Sequence, residues 1–374
     1  MIYLDYAATT PVANEVLDVF NKVTMNTIGN PNSLHRLGLE AERLIADATN
    51  KVSETFKVSP TEIIYTSGAT EANNLAIKGI TGKYKGKHII TTRFEHSSIY
   101  GPISALEKHG YEVDFVETNE NGLVDLIDLK ALLRDDTVLV TIASVNSEIG
   151  IKQPINEIGN LLANYPNCFF HVDLTQSVGK EQEIDLTNID LASCSAHKFY
   201  GIKGIGILIK KDRIKLEPLI HGGKSTTIYR SGTPTTALIC SFAKALELVN
   251  NNTKEKYSNV LKYNEYLRAN LEHYDKVKIN SPKNAIPHIL NVSILGANPE
   301  EFSKALEQHD VYVSTQTACH TGSDTSLAVL ALTNDQERAN SAIRISLSHL
   351  TNQAELDSFL KAFNACYQEL EQQL

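Results

Sequence analysis

Through the first two thirds of the chain, short apolar runs alternate with longer segments whose apolar residues recur at helical spacing. EIIYTS (62–67), HIITTRF (88–94), YEVDFVE (111–117), TVLVTIASV (137–145) and CFFHVDLTQS (168–177) have the length and residue content of strands. Between them, SLHRLGLEAERLIADATNKVSETF from Ser33, GATEANNLAIKGI from Gly68, HSSIYGPISALEKHG from His96 and INEIGNLLANY from Ile155 read as helices. The alternation predicts an α/β fold, a mostly parallel sheet flanked by helices. After about residue 250 the pattern changes. NNNTKEKYSNVLKYNEYLRANLEHY reads as one long exposed helix. HILNVSIL, VYVSTQ and SAIRISLS read as three strands, and the tail from Thr351 as an amphipathic helix. The expected division is a large domain over 14–252 and a smaller α+β domain formed by 1–13 and 253–374.

Composition narrows the class. With 374 residues the chain can bury a full core. A 42% hydrophobic and 21% charged content is that of a soluble globular protein. The net charge of −9 argues against binding a nucleic-acid backbone. No run approaches the roughly 18 apolar residues of a membrane span, and MIYLDYAATT lacks the basic and apolar regions of a secretory signal. Five scattered cysteines, Cys168, Cys194, Cys240, Cys319 and Cys366, form no CxxC pair. A disulfide framework and a structural zinc site are not expected, and no metal is expected. A reducing cytoplasm is the expected compartment.

In an open parallel sheet, ligands sit beyond the carboxyl ends of the strands. Polar residues gather there in this sequence. Gly68-Ala69-Thr70-Glu71 follows EIIYTS and opens a helix, which suits a phosphate, or is a plain N-cap. His96 follows HIITTRF and has an ordinary capping reading. Asp173 ends an apolar strand, where a carboxylate is costly without a partner, and Gln176 follows it. The stretch DLASCSAHKFYGIKGIG (190–206) places Ser195, His197 and Lys198 at a turn between two apolar runs. Alone, Lys198 reads as a solvated loop lysine. Together, an anion site, an aromatic base, a buried carboxylate and a lysine match the needs of pyridoxal phosphate: a Schiff-base lysine, an acid for the ring nitrogen and a phosphate site.

In order along the chain stand LDYAATTP, GNPNSLHRLG, SGATEANN, EHSSI, EIG, HVDLTQSVGK, SAHKFYGIKG, RSGTP, TACHTGS and IRISL. On these motifs the chain resembles, over nearly its whole length, the cysteine desulfurases of the NifS/IscS type. They lie within the fold type I, class V pyridoxal-phosphate enzymes. The resemblance implies a homodimer in which Lys198 carries the cofactor, Asp173 pairs with its ring nitrogen and Gln176 with its phenolic oxygen. His96 would stack on the ring and move protons. Ala69, Thr70, Ser195 and His197 would hold the phosphate, and Thr233 would reach the phosphate of the other subunit's cofactor. Arg344, a charge inside the strand-like SAIRISL, would bind the substrate carboxylate. Cys319, in a polar loop-like stretch, would take up the sulfur as a persulfide.

The implied reaction converts L-cysteine to L-alanine, with Lys198 removing the Cα proton. The persulfide would pass to an iron–sulfur scaffold or a tRNA-thiolation protein. Three segments depart from the family pattern. Ser147 stands where a second asparagine is expected, leaving Asn146 as the candidate substrate-facing residue. The Lys224–Tyr229 segment differs, and SDTSLAVLAL follows the cysteine. Rival readings are another class V enzyme, a selenocysteine lyase or an aminotransferase, and a non-catalytic scaffold that binds the cofactor.

Overall fold

A computed structural model describes residues 1–181, 184–315 and 325–373. The strands are β1 (Ile2–Tyr3), β2 (Ile63–Thr66), β3 (His88–Thr91), β4 (Glu112–Phe115), β5 (Thr137–Ala143), β6 (Phe169–Asp173), β7 (Leu191–Ser195), β8 (Gly206–Lys210), β9 (Val277–Ile279), β10 (Ile289–Ile294), β11 (Val311–Tyr312) and β12 (Ala342–Ser346). Seven of them form one sheet in the order β2-β8-β7-β6-β5-β3-β4. Only β8 runs against its neighbours, β2 and β7; the other pairings are parallel.

Every residue of β2, β3, β5, β6, β7 and β8 is buried. A sheet covered on both faces needs apolar residues at consecutive positions, which explains runs such as TVLVTIA. Successive residues serve opposite faces. Ile90, Val140, Ile142, Phe170 and Val172 pack on one side with residues of the helix Thr236–Asn250. Ile89, Leu139, Phe169 and Leu191 pack on the other.

Four helices precede β4: α1 (Asn14–Asn26), α2 (Arg36–Phe56), α3 (Ala69–Lys83) and α4 (Ser97–Glu107). Both α3 and α4 start directly beyond a strand's carboxyl end, so their amino ends open at the same edge of the sheet. Gly206 makes that edge compact. A Cβ there would stand 2.5 Å from the Cys194 carbonyl oxygen and 2.8 Å from the Gly68 Cα.

A second, antiparallel sheet of order β12-β10-β9 packs with Leu4 and the helices Thr253–Leu271, Pro299–Gln308 and Gln353–Gln373. VYVSTQ supplies β11, which pairs in parallel with β1, and Ser314 of the same run bridges Arg344 of β12; the third strand of the antiparallel sheet is Val277–Ile279. One expectation is corrected here. The helix from Thr253 is not exposed all round, because Val260, Asn264, Leu267 and Leu271 bury one face. Among the described residues no helix is long and apolar enough to cross a membrane.

Candidate active site

A cavity of about 580 Å³ opens beyond the carboxyl edge of the large sheet. Ala69, Thr70, His96, Asp173, Gln176, Ser195, His197, Lys198 and Arg344 all line it. The strands β6 and β7 deliver Asp173 and Ser195 at their last residues, and the short 3-10 turn Ala196–Lys198 carries His197 and Lys198.

Lys198 is held by the N-terminal segment. Its Nζ donates to the carbonyl oxygens of Ala7 and Ala8 at 2.7 and 2.8 Å. The same segment is tied to the turn by Thr10, whose backbone N–H donates to the His197 carbonyl at 2.9 Å. Asp173 accepts from the Thr175 N–H at 2.9 Å and from Asn73 Nδ2 at 2.8 Å. The Gln176 side chain donates to the Ala7 carbonyl at 2.9 Å and accepts from Lys180 Nζ. Burial, with Lys198 and Arg344 nearby, pushes the Lys180 ammonium down to about 7.

His96 is the N-cap of α4, its Nδ1 accepting from the Ser98 N–H at 3.1 Å. Burial, then the charges of Lys198 and Lys203, push the His197 imidazole down to about 4, so it is neutral near pH 7. Glu71 also lines the cavity. Burial alone would raise its carboxyl, but the bonds from Arg230 (2.9 Å) and the Ser67 N–H (2.7 Å) outweigh burial and lower it.

Arg344 is 3% exposed in β12. Its Nη2 meets Asp5 Oδ1 at 2.7 Å and its Nη1 donates to the Ser147 carbonyl at 2.9 Å. Its Nε, and the hydroxyl of the cavity-lining Thr175, are buried without a partner among the described residues. A buried donor without a partner is costly unless a ligand supplies the acceptor.

A family profile described as "Aminotransferase class-V" matches residues 2–359. The chain belongs to the class-V aminotransferase family. Members of this family typically bind pyridoxal phosphate. The chain is 40% identical to a "NifS/IcsS protein homolog" of Lactobacillus delbrueckii subsp. bulgaricus, covering 98% of this chain and 97% of that one. It is also 40% identical to the "Cysteine desulfurase IscS" of Vibrio cholerae, over 99% of this chain and 93% of the relative. A solved "NIFS-LIKE PROTEIN" superposes with a TM-score of 0.91 at 32% identity, with 99% of each chain covered.

Within this class-V fold, two of the described candidates stand apart from the cavity. Asn146 does not line it. Its Nδ2 donates to the Phe94 carbonyl at 2.7 Å, and its Oδ1 accepts from the Glu148 and Ile149 N–H groups at 2.9 and 2.7 Å. The side chain braces the tight turn to Ile151, and Ser147 faces the cavity instead. Thr233 is exposed in a separate groove with Phe20, Val23, Ile28 and Pro31. Cys319 lies outside the described residues, as does His320.

Sequence reasoning missed Asp5, Ala7, Asn73, Ser98 and Lys180 as parts of this site. All lie inside motifs already quoted: LDYAATTP, SGATEANN, EHSSI and HVDLTQSVGK. The available signal was a polar residue next to a candidate in a short, otherwise small-residue motif. Of the remaining cysteines, Cys168, Cys194 and Cys366 are buried and Cys240 is half-buried. Burial pushes Cys168 up to about 12 and raises Cys194 further, so neither is a ready thiolate near pH 7. Burial also pushes Cys240 and Cys366 up to about 11.

Proposed function

We propose that this protein is a pyridoxal-phosphate-dependent cysteine desulfurase that takes sulfur from L-cysteine and leaves L-alanine. The observation that carries the reading is the convergence of Lys198, Asp173, a helix amino end and Arg344 on one cavity. The residues present fit the cofactor. A lysine, a buried carboxylate and the amino end of α3 are distinct groups suited to a carbonyl carbon, a protonated ring nitrogen and a phosphate. The partnerless Thr175 hydroxyl and Arg344 Nε are donors awaiting acceptors.

Ala69, Thr70, Ser195 and the neutral His197 would hold the phosphate, Lys198 the reactive carbon, Asp173 the ring nitrogen and Gln176 the phenolic oxygen. Pyridoxal phosphate, when bound, supplies an electron sink for charge developing at the substrate Cα. Arg344 binds the substrate carboxylate. Asp5 and the Ser147 carbonyl fix its guanidinium plane, leaving Nε to donate. Lys198 takes the Cα proton, and the Ala7 and Ala8 carbonyls fix where its Nζ stands. The Cys319 thiolate attacks the substrate sulfur: an S–S bond forms and the Cβ–S bond breaks. The bonding pair stays on Cβ, and His96 gives it the proton that completes alanine.

The reading extends to a homodimer. Thr233, outside this protomer's cavity, would serve the site of the other subunit. The apolar groove beside it, and the exposed Ile28 and Leu34 nearby, would lie in the subunit interface. The persulfide would go to an iron–sulfur scaffold or a tRNA-thiolation protein of the cytoplasm.

The test is alanine and sulfide released from L-cysteine with a reductant present. Equal amounts from the wild type, lost in both Lys198→Ala and Cys319→Ala, are expected. A Cys319→Ala variant as fast as the wild type would replace the persulfide route with a plain lyase or transaminase.

A further inference from the structure

Asn73, on α3, is completely buried between the two groups to which the proposed chemistry gives the ring nitrogen and the proton transfer. Its Nδ2 donates to Asp173 Oδ2 and to Ser98 Oγ, each at 2.8 Å. Its Oδ1 accepts from the Ser193 hydroxyl. A carboxylate oxygen accepts, so the amide nitrogen must be the end that faces Asp173. Both amide donors are then used, and the amide oxygen has its own donor.

The consequence passes to His96. The N–H that Ser98 Oγ receives from Asn73 orients the hydroxyl, whose O–H is then directed at His96 Nδ1, 2.8 Å away. The Ser98 backbone N–H donates to the same nitrogen at 3.1 Å. An imidazole nitrogen facing two donors is the unprotonated one, so the ring proton sits on Nε2.

Behind Asn73 the donors run in the same direction. His171 Nε2 lies 3.1 Å from the Ser193 hydroxyl, which gives its own proton to Asn73. The Thr141 hydroxyl lies 2.8 Å from His171 Nδ1. Burial pushes His171 down to about 4, so it is neutral and has one N–H to give. The chain from Thr141 through His171, Ser193, Asn73 and Ser98 to His96 therefore has one consistent polarity.

We infer that Asn73 is a positioning residue that holds Asp173 and, through Ser98, fixes His96 as the Nε2-protonated tautomer. The inference rests on the desulfurase reading only for why those two groups matter. The tautomer itself is independent of turnover. His96 then has one nitrogen able to deliver a proton, and it is aimed away from the Ser98 side of the ring.

Nitrogen NMR of holoenzyme labelled at histidine tests this, with the His96 signals assigned by their loss in His96→Gln. The wild type is expected to show an unprotonated Nδ1. In Asn73→Ala the Ser98 hydroxyl loses the donor that orients it and can turn a lone pair toward the ring, and the tautomer shifts toward Nδ1–H. Adding Ser98→Ala removes that acceptor, leaves the backbone donor and restores Nε2–H. A wild-type ring protonated at Nδ1 overturns the inference without any variant. So does an Asn73→Ala ring that stays Nε2–H, or a shift that persists in the double variant, which marks a merely structural role. An enzyme inactive on L-cysteine but with the expected tautomers overturns the desulfurase reading and leaves this inference standing.

Discussion

Asp173 and Arg344 line the same cavity and are both buried, yet they are held in unlike ways. Asp173 ends a strand of the large sheet and, among the described residues, accepts from neutral donors: Asn73 on the covering helix α3 and the Thr175 N–H in the turn after β6. Hydrogen bonds solvate its carboxylate, which under the proposed function would face a cationic ring nitrogen. Arg344 sits in the small sheet and meets a carboxylate, Asp5, that is 339 residues away in sequence. The pair binds the two ends of the chain together at the rim of the cavity. The contrast teaches that the floor is assembled within one sheet, whereas the rim exists only once the termini have come together.

The largest effect that would sharpen this contrast is on chemistry. Asp173→Ala removes the floor charge and is expected to lower kcat at least about hundredfold, with the substrate KM little changed. Arg344→Lys keeps the charge but loses the planar fork. It is expected to raise KM for L-cysteine about tenfold, with a smaller change in kcat. Steady-state kinetics on the pair decides it. Equal effects on KM would erase the distinction between floor and rim.

A smaller effect concerns stability. Asp5→Asn leaves the buried Arg344 guanidinium without its counter-charge and is expected to cost about 3 kcal/mol in urea unfolding. A loss below about 1 kcal/mol, the range of a surface pair, would mean that the rim does not depend on this ion pair.

A further effect is in pH dependence. Glu95 is buried beside the floor and accepts from Thr92 Oγ1 at 2.7 Å and from the Ala143 N–H at 2.9 Å. Burial, with Asp173 nearby, pushes its carboxyl up to about 8 from an ordinary 4.5. Within that window the folded protein keeps a proton that the unfolded chain releases. This group's contribution therefore declines as the pH rises from 4.5 toward 8. Glu95→Gln holds a neutral group at every pH and is expected to flatten that decline. Chemical denaturation at several pH values would show it, and an unchanged slope would count against a protonated Glu95.

Much of the floor was readable from the sequence because its residues end apolar runs. Asp173 closes FFHV, Ser195 closes LASC, and α3 and α4 open within a few residues of β2 and β3. Strand length and the carboxyl-edge rule suffice to bring such positions together. The rim was readable only as motifs. LDYAATTP gave no sign that Asp5 would neutralise Arg344 or that the Ala7 and Ala8 carbonyls would hold Lys198, since backbone acceptors have no residue signature. VYVSTQ was legible as a strand, but a two-residue strand has no periodicity to say which partner it will take, and the N-terminal strand supplied it.

By itself the sequence determined the alternation of strands and helices, the change of pattern after about residue 250, and the placing of Lys198 at a turn between two buried strands. These follow from local pattern, which depends only on near neighbours along the chain. Tertiary structure alone decided which polar side chains meet. It turned Asn146 into the brace of a turn and gave its place on the cavity to Ser147. It made Asn73 the link between Asp173 and His96 and set Asp5 against Arg344. The physical reason is that a buried polar group must find its partner wherever the packed fold brings one within reach, whatever the distance along the chain.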